Sequence, residues 1–170
     1  MQKTYEICLE LLQQRGFEII DQTEDRILGV KKGGKQICAF ISNTPKFNVE
    51  KMQEYISMMK KLDLTHSIIV YKDNATPVAK KVIEDSDDMT IELFQEDELQ
   101  YNLTKHYLVP KHELVFEKGT KKCKEFKEKY SDKFPILLKS DPVCRFYGYN
   151  KGDIIKITRK GGNIMYRIVK

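Results

Sequence analysis

"DPVCRFYGYNKGDIIKITRK", residues 141–160, combines a turn signal, two glycines, five cationic residues and tightly alternating apolar positions. It contains no phosphate loop and no metal-ligand spacing. In "DIIKITRK" Ile155 and Ile157 fall on one side and Lys156 and Thr158 on the other, the alternation of a half-buried strand. "VCRFYG" before it and "NIMYRIVK" (163–170) after it read as two further strands, joined by "YNKG" and "KGGN" turns. The expectation is a small antiparallel sheet entered through a turn at Asp141-Pro142, where proline locks φ. Upstream, Thr120 to Tyr130 reads as a short basic helix with Cys123, Phe126, Lys127 and Tyr130 on one side.

Before about Glu98 the composition is different. Residues 1–100 hold 13 Lys+Arg against 18 Asp+Glu, a net −5, and residues 101–170 hold 17 against 7, a net +10. Thr4 to Arg15 has helical spacing and stops at Gly16. "RILGVKKGGKQICAFI" reads as a hairpin about Gly33-Gly34, and Val49 to Leu62 as an amphipathic helix. "HSIIVY" (66–71) and "MTIELF" (89–94) read as strands. Between them, "NATPVAKKVIED" begins a helix with Thr76 as N-cap and Pro77 in the first helical position. Strand–helix–strand order implies an α/β layer, so the fold class is α+β in two domains, 1–98 and 99–170. "ELQYNLTKHYLVPKHELV" is the extended junction, as Pro110 favours.

The composition excludes several classes. At 41% hydrophobic and 32% charged residues the chain is an ordinary globular protein. No apolar run approaches the roughly 20 residues of a membrane span. Glu6 and Glu10 make the N-terminus a poor secretory signal, so a cytosolic or nuclear location is expected. Cys8, Cys38, Cys123 and Cys144 have apolar or aromatic neighbours and no Cys-x-x-Cys spacing, which predicts reduced, buried thiols. His66, His106 and His112 are scattered, and no metal or other cofactor is expected.

A metal-dependent nuclease is the enzyme to weigh, because it needs carboxylates converging on Mg²⁺. "KQICAFISN", the second strand of the hairpin, carries none, and Glu24 and Asp25 precede the first strand without a partner on the second. "EDSDD" (84–88) reads as a solvated loop, and "KKGGK" (31–35) as a hairpin turn lacking Walker spacing. Phe146, Tyr147, Tyr149 and Tyr166 are placed either to stack on single-stranded bases or to fill a core or partner interface. A free-standing basic nucleic-acid-binding module is the other reading that these residues leave open.

"LVPKHELV" (108–115), "LLKSDPVCRFYGYNKGDIIKITRK" (137–160) and the closing "MYRIV" (165–169) together resemble the C-terminal domain of the RNA polymerase subunit called H in archaea. The same domain belongs to the fifth subunit shared by eukaryotic nuclear polymerases. The likeness includes Asp141-Pro142-Val143, Arg145, Gly148, Lys151-Gly152, Ile157, Arg159 and Tyr166-Arg167. "FQEDELQYNLTKH" (94–106) is similar to the family's linker, and "TPVAKK" (76–81) to its "TPSA" segment. Residues 1–92 fit the eukaryotic N-terminal jaw domain. This jaw is shorter than in most eukaryotic members, Cys144 replaces a usual Ala, and Val78 a usual Ser.

The resemblance implies a non-catalytic structural subunit of a multisubunit DNA-dependent RNA polymerase. Its C-terminal domain would dock on the largest subunit near a neighbouring small subunit. Its jaw, a restriction-endonuclease-like fold without an active site, would lie beside downstream double-stranded DNA in weak, sequence-independent contact. The compact two-domain form is what a large double-stranded DNA virus or a reduced eukaryote would carry. That places it in the nucleus if cellular, and in the host cytoplasm or the virion if viral.

Thr76, Pro77, Lys80 and Lys81 are the expected DNA contacts, a helix N-terminus reinforced by two ammonium groups. The expected subunit-interface residues are His112, Asp141, Pro142, Arg145, Tyr147, Gly148, Lys151, Gly152, Arg159, Tyr166 and Arg167. The arginines would offer forked donors to carboxylates, the tyrosines would anchor the interface centre, and the glycines would allow turns or close backbone approach.

Overall fold

The structure is a computed structural model that describes residues 2–44, 46–84, 88–130 and 134–170. The chain divides into two compact units, Met1–Tyr101 and Asn102–Lys170. Among the described residues no helix is long and apolar enough to cross a membrane.

Unit 1 starts with α1 (Gln2–Gln14), whose Thr4, Cys8, Leu11 and Leu12 form one buried stripe at helical spacing. Strands β1 (Glu18–Gln22), β2 (Arg26–Val30) and β3 (Gln36–Ile41) follow as an antiparallel meander. After β4 (Lys46–Phe47) come α2 (Val49–Lys61), β5 (His66–Tyr71), β6 (Asn74–Ala75), α3 (Pro77–Glu84) and β7 (Thr90–Gln95). The main sheet runs β1-β2-β3-β5-β7, with β3, β5 and β7 parallel, and β4 pairs with β6 in a separate parallel ladder. β3 is buried on both faces, as the middle strand of a covered sheet must be. Cys38 and Phe40 join Met52 and Met59 of α2, Ile69, Ala79 and Ile91 in one core.

The expected helices and hairpin of this half are present, and "HSIIVY" and "MTIELF" lie within a residue of β5 and β7. Strand β1 was not foreseen. The acidic run at 84–88 lies mostly outside the described residues. All four cysteines stand as buried thiols, and burial pushes Cys8 and Cys38 up to about 12.

Unit 2 contains β8 (Lys111–Phe116), α4 (Lys121–Tyr130), β9 (Ile136–Leu137), α5 (Pro142–Tyr147), β10 (Ile154–Thr158) and β11 (Ile164–Val169). Its sheet runs β8-β10-β11-β9, antiparallel except for the β11–β9 pair. Ile155 and Ile157 of β10 pack with Leu137, Cys144, Tyr149 and Val169, so α5 covers that face. On the other face, the Phe126 ring of α4 lies 5.0 Å from Phe116 and 5.2 Å from Tyr166. Each face of the sheet therefore carries one helix.

"VCRFYG" is a helix, not the strand its alternation suggests. Asp141 is its N-cap, accepting from the N–H of Val143 at 2.9 Å and of Cys144 at 3.4 Å. Pro142 fills the first turn, where no N–H is needed, and Gly148 ends the helix in the left-handed region at φ 68°. Asp141-Pro142 therefore begins a helix and does not lead into the sheet.

One ion-pair cluster joins three elements of unit 1. Arg15, just past α1, forms a bidentate pair with Glu92 of β7 at 2.7 and 2.8 Å, and His66 Nε2 of β5 lies 2.8 Å from Glu92 Oε1. Burial pushes the Glu92 carboxyl up, but the Arg15 charge and the His66 and Arg15 hydrogen bonds outweigh it and hold the group at about 2. A carboxyl depressed from 4.5 stabilises the fold fully above about pH 4.5, and that contribution is lost as pH falls towards 2. Glu92→Gln leaves the buried Arg15 without its counter-charge and should cost about 3 kcal/mol at pH 7 by urea unfolding. The gap between parent and variant should close between about pH 4.5 and 2. In unit 2, Asp141→Ala should cost about 1 kcal/mol through the lost cap, and Asp141→Asn much less.

Candidate interface surfaces

At the start of α3, Thr76 Oγ1 accepts from the Ala79 N–H at 3.3 Å, and the Thr76 carbonyl accepts from Lys80 N at 3.1 Å. Its own N–H donates to Phe47 of β4. Pro77, Val78, Lys80 and Lys81 are exposed around this cap. Pro77 has no N–H and Thr76 already occupies that of Ala79, so the helix start has few donors left for a phosphate. The two ammonium groups are the accessible part of the expected contact.

Among the described residues the unit 1 carboxylates do not converge. Asp21 pairs with Arg26 at 2.7 Å, Asp25 accepts from Thr23 at 2.8 Å, and Glu92 is held by Arg15 and His66. An open cleft between α1, the β1–β2 turn and the end of β3 is lined by Tyr5, Gln22, Thr23, Glu24 and Asn43, with Glu24 as its carboxylate. Among the described residues no group of three or more His, Cys, Asp or Glu side chains is arranged to hold a metal ion.

The residues expected at an interface fall into three sets in unit 2. The first builds the unit. Asp141, Pro142 and Gly148 frame α5, and Tyr166 belongs to the aromatic cluster under α4. Tyr147 stacks on the buried Tyr149 at 5.2 Å, and Tyr149 Oη donates to the His112 carbonyl at 3.3 Å. Gly152 adopts φ +95°, and a Cβ there would stand 3.0 Å from Lys118 Cγ. Any side chain would thus meet both backbone strain and the Lys118 stem.

The second set meets on the α5 face. Ile157 pairs with His112 on one side and Met165 on the other, and Ile155 pairs with Leu114 and Arg167. His112 Nδ1–H donates to the Pro110 carbonyl at 2.8 Å. Burial lowers the His112 imidazole below its ordinary value, as does the nearby Arg167 charge, while the Pro110 bond and Asp141 act in the opposite sense. Arg167 Nη1 donates to the Ile136 carbonyl at 3.2 Å. Leu114 and Met165 remain exposed beside these polar groups. The third set, Lys151 and Arg159, is exposed in turns, and Arg145 is half-buried on α5.

Two features were missed by sequence reasoning. One is Asp153, which is buried and accepts from Lys118 N at 2.8 Å and from Asn150 N at 2.7 Å. The turn tetrapeptide Asn-Lys-Gly-Asp was the available signal. The other is the exposed apolar surface. Of the thirteen large apolar side chains that the described residues leave exposed, nine lie in unit 2, the others being Ile20, Met58, Val78 and Tyr101.

Comparison with known proteins follows the same division. Residues 101–169 match the family described as RNA polymerase Rpb5, C-terminal domain. Over 99% of its length the chain is 31% identical to a protein of Invertebrate iridescent virus 6 named as a DNA-directed RNA polymerase subunit, covering 98% of that protein. It is 36% identical over 78% of its length to subunit rpabc1 of DNA-directed RNA polymerases I, II and III from Dictyostelium discoideum, covering 71% of it. It is 31% identical to the Caenorhabditis elegans RPABC1 subunit over 79% of this chain and 66% of that one.

Among solved structures, 56% of the chain is similar in fold to a chain of the EndoMS complex with double-stranded DNA. The TM-score is 0.40 and the identity 14%, over 44% of that chain. A repair endonuclease from Pyrococcus abyssi is similar over the same share, with a TM-score of 0.40 and 18% identity, over 46% of its chain. With near-complete coverage of a viral relative and a matching C-terminal domain, the chain belongs to the Rpb5 (RPABC1) family of DNA-directed RNA polymerase subunits.

Proposed function

We propose that this chain is a non-catalytic subunit of a multisubunit RNA polymerase. Residues 99–170 form its assembly domain, docked on the largest subunit beside a neighbouring small one. Residues 1–98 form a jaw beside downstream DNA. The supporting observation is the apolar surface of unit 2. A small folded unit that exposes Leu114, Met165 and seven other large apolar side chains is suited to a partner that covers them. Permanent interfaces bury on the order of 2,000 Å² or more and are richer in apolar area than ordinary surfaces. Together with these side chains, His112, Arg145, Arg159 and Arg167 supply polar specificity, the arginines towards partner carboxylates. In the jaw, Lys80 and Lys81 supply a sequence-independent phosphate contact next to Thr76 and Pro77. The compartment is then the polymerase's own: the nucleus in a cell, the host cytoplasm or the virion for a virus.

Pull-down of the tagged chain from its native source should recover two large polymerase subunits. Recovery of the chain alone would overturn the assignment. Leu114→Asp combined with Met165→Asp should abolish co-purification while shifting the urea midpoint little, because both side chains are already partly solvated. In assembled elongation complexes, Lys80→Ala/Lys81→Ala should lower the salt dependence of complex stability by about two phosphate contacts. An unchanged salt series removes the jaw contact and leaves the docking reading standing.

A further inference from the structure

The turn at residues 149–153 gathers positive charge at one end of the unit 2 sheet. Lys127 Nζ of α4 donates to the Gly152 carbonyl at 3.0 Å, and Lys139 Nζ donates to the Tyr149 carbonyl. The Lys118 stem lies over Gly152, and Lys151 is exposed within the turn. Lys124, also exposed, stands one helical turn before Lys127. Topology forces this meeting. β8 and β9 end here, β10 begins here, and the Gly152 N–H donates to Val169 at the end of β11.

Among the described residues none of these five lysines has a carboxylate partner. The carboxylate of the turn, Asp153, is buried with its two oxygens on the Lys118 and Asn150 N–H groups. Three cations of unit 1 are compensated directly: Arg15 by Glu92, Arg26 by Asp21 and Lys51 by Glu54. Like charges on flexible stems separate unless something holds them. Here two ammonium groups are moored to carbonyls of one five-residue turn, which fixes a positive field at that end of the sheet.

Two properties select the ligand. The turn and α4 contain no arginine, the side chain suited to planar, bidentate carboxylate pairing. Lysine is a point charge that accepts phosphates from many directions. We infer that the 149–153 turn, with Lys118, Lys124, Lys127, Lys139 and Lys151, binds the phosphate backbone of a nucleic acid without reading its sequence. The site lies in unit 2 and is separate from the jaw contact; its existence does not depend on the subunit assignment.

The test is fluorescence anisotropy of the full chain with a short labelled DNA duplex and, separately, a short single-stranded RNA, across a KCl series. Lys118→Gln/Lys151→Gln keeps the first two methylenes of each side chain and removes two charges. It should weaken binding at low salt by about tenfold or more and lower the slope of log K against log salt by about two. Lys151→Gln alone, at an exposed position, should lower the slope by about one and serves if the double variant is destabilised. Duplex and RNA arms identify the preferred nucleic acid, and a response in either supports the site. Equal slopes for parent and both variants overturn it. So does binding of a poly-glutamate peptide in place of either nucleic acid, which would assign the turn to an acidic protein segment. A failure here with intact co-purification in the pull-down removes this site alone.

Discussion

Unit 2 depends on a carboxylate with no exposed surface to offer. Asp153 accepts one backbone N–H from the segment leaving β8 and another from the turn entering β10, while its own carbonyl accepts from Val169 of β11. Three strands are thus fixed at one end by a single residue. A buried charge is tolerated only when its lone pairs are satisfied, and backbone donors satisfy them here without an added cation. Unit 1 solves the same problem differently: Glu92 is held by side chains, Arg15 and His66. In each unit a carboxylate that could have served chemistry is committed to holding the fold.

This commitment leaves the shape of unit 2 resting on short, well-capped elements. α5 has six residues, too few for a helix that stands on its own. It persists because Asp141 and Gly148 close its ends and because Cys144 and Phe146 are fully buried. The side chains left exposed around it, Leu114 and Met165 among them, are therefore held in place by the fold itself. A surface already in place avoids the entropy of ordering at association, which otherwise opposes binding.

The sequence disclosed the regular elements well and the long-range ties poorly. The Gly33-Gly34 hairpin, α2 and the buried strands β5 and β7 carry local signals of turn chemistry and periodicity. β1 carries almost none, because "EIIDQ" is mostly exposed and is a strand only through pairing with β2. "VCRFYG" misled because its apolar pattern also fits alternation. Its ends did signal a helix, with Asp before Pro at the start and Gly at the stop, and those caps outweigh a period judged over six residues. The meeting of Arg15, His66 and Glu92 spans 77 residues of sequence, and no local pattern announces it. Of the interface candidates, the structure gives Asp141, Gly148 and Tyr166 clear internal duties. His112 and Arg167 flank β10 on one face of the sheet, beside the exposed Leu114 and Met165, an arrangement that only strand register creates.

The four cysteines have a practical side. Each thiol is buried, and Cys8 and Cys38 would need strongly alkaline conditions to ionise. Maleimide and iodoacetamide chemistry should therefore pass over the native protein. A cysteine engineered at an exposed turn would be the chain's single labelling handle, with no need to strip out the natural thiols first. Distance measurements within an assembled polymerase could then start from the unaltered core.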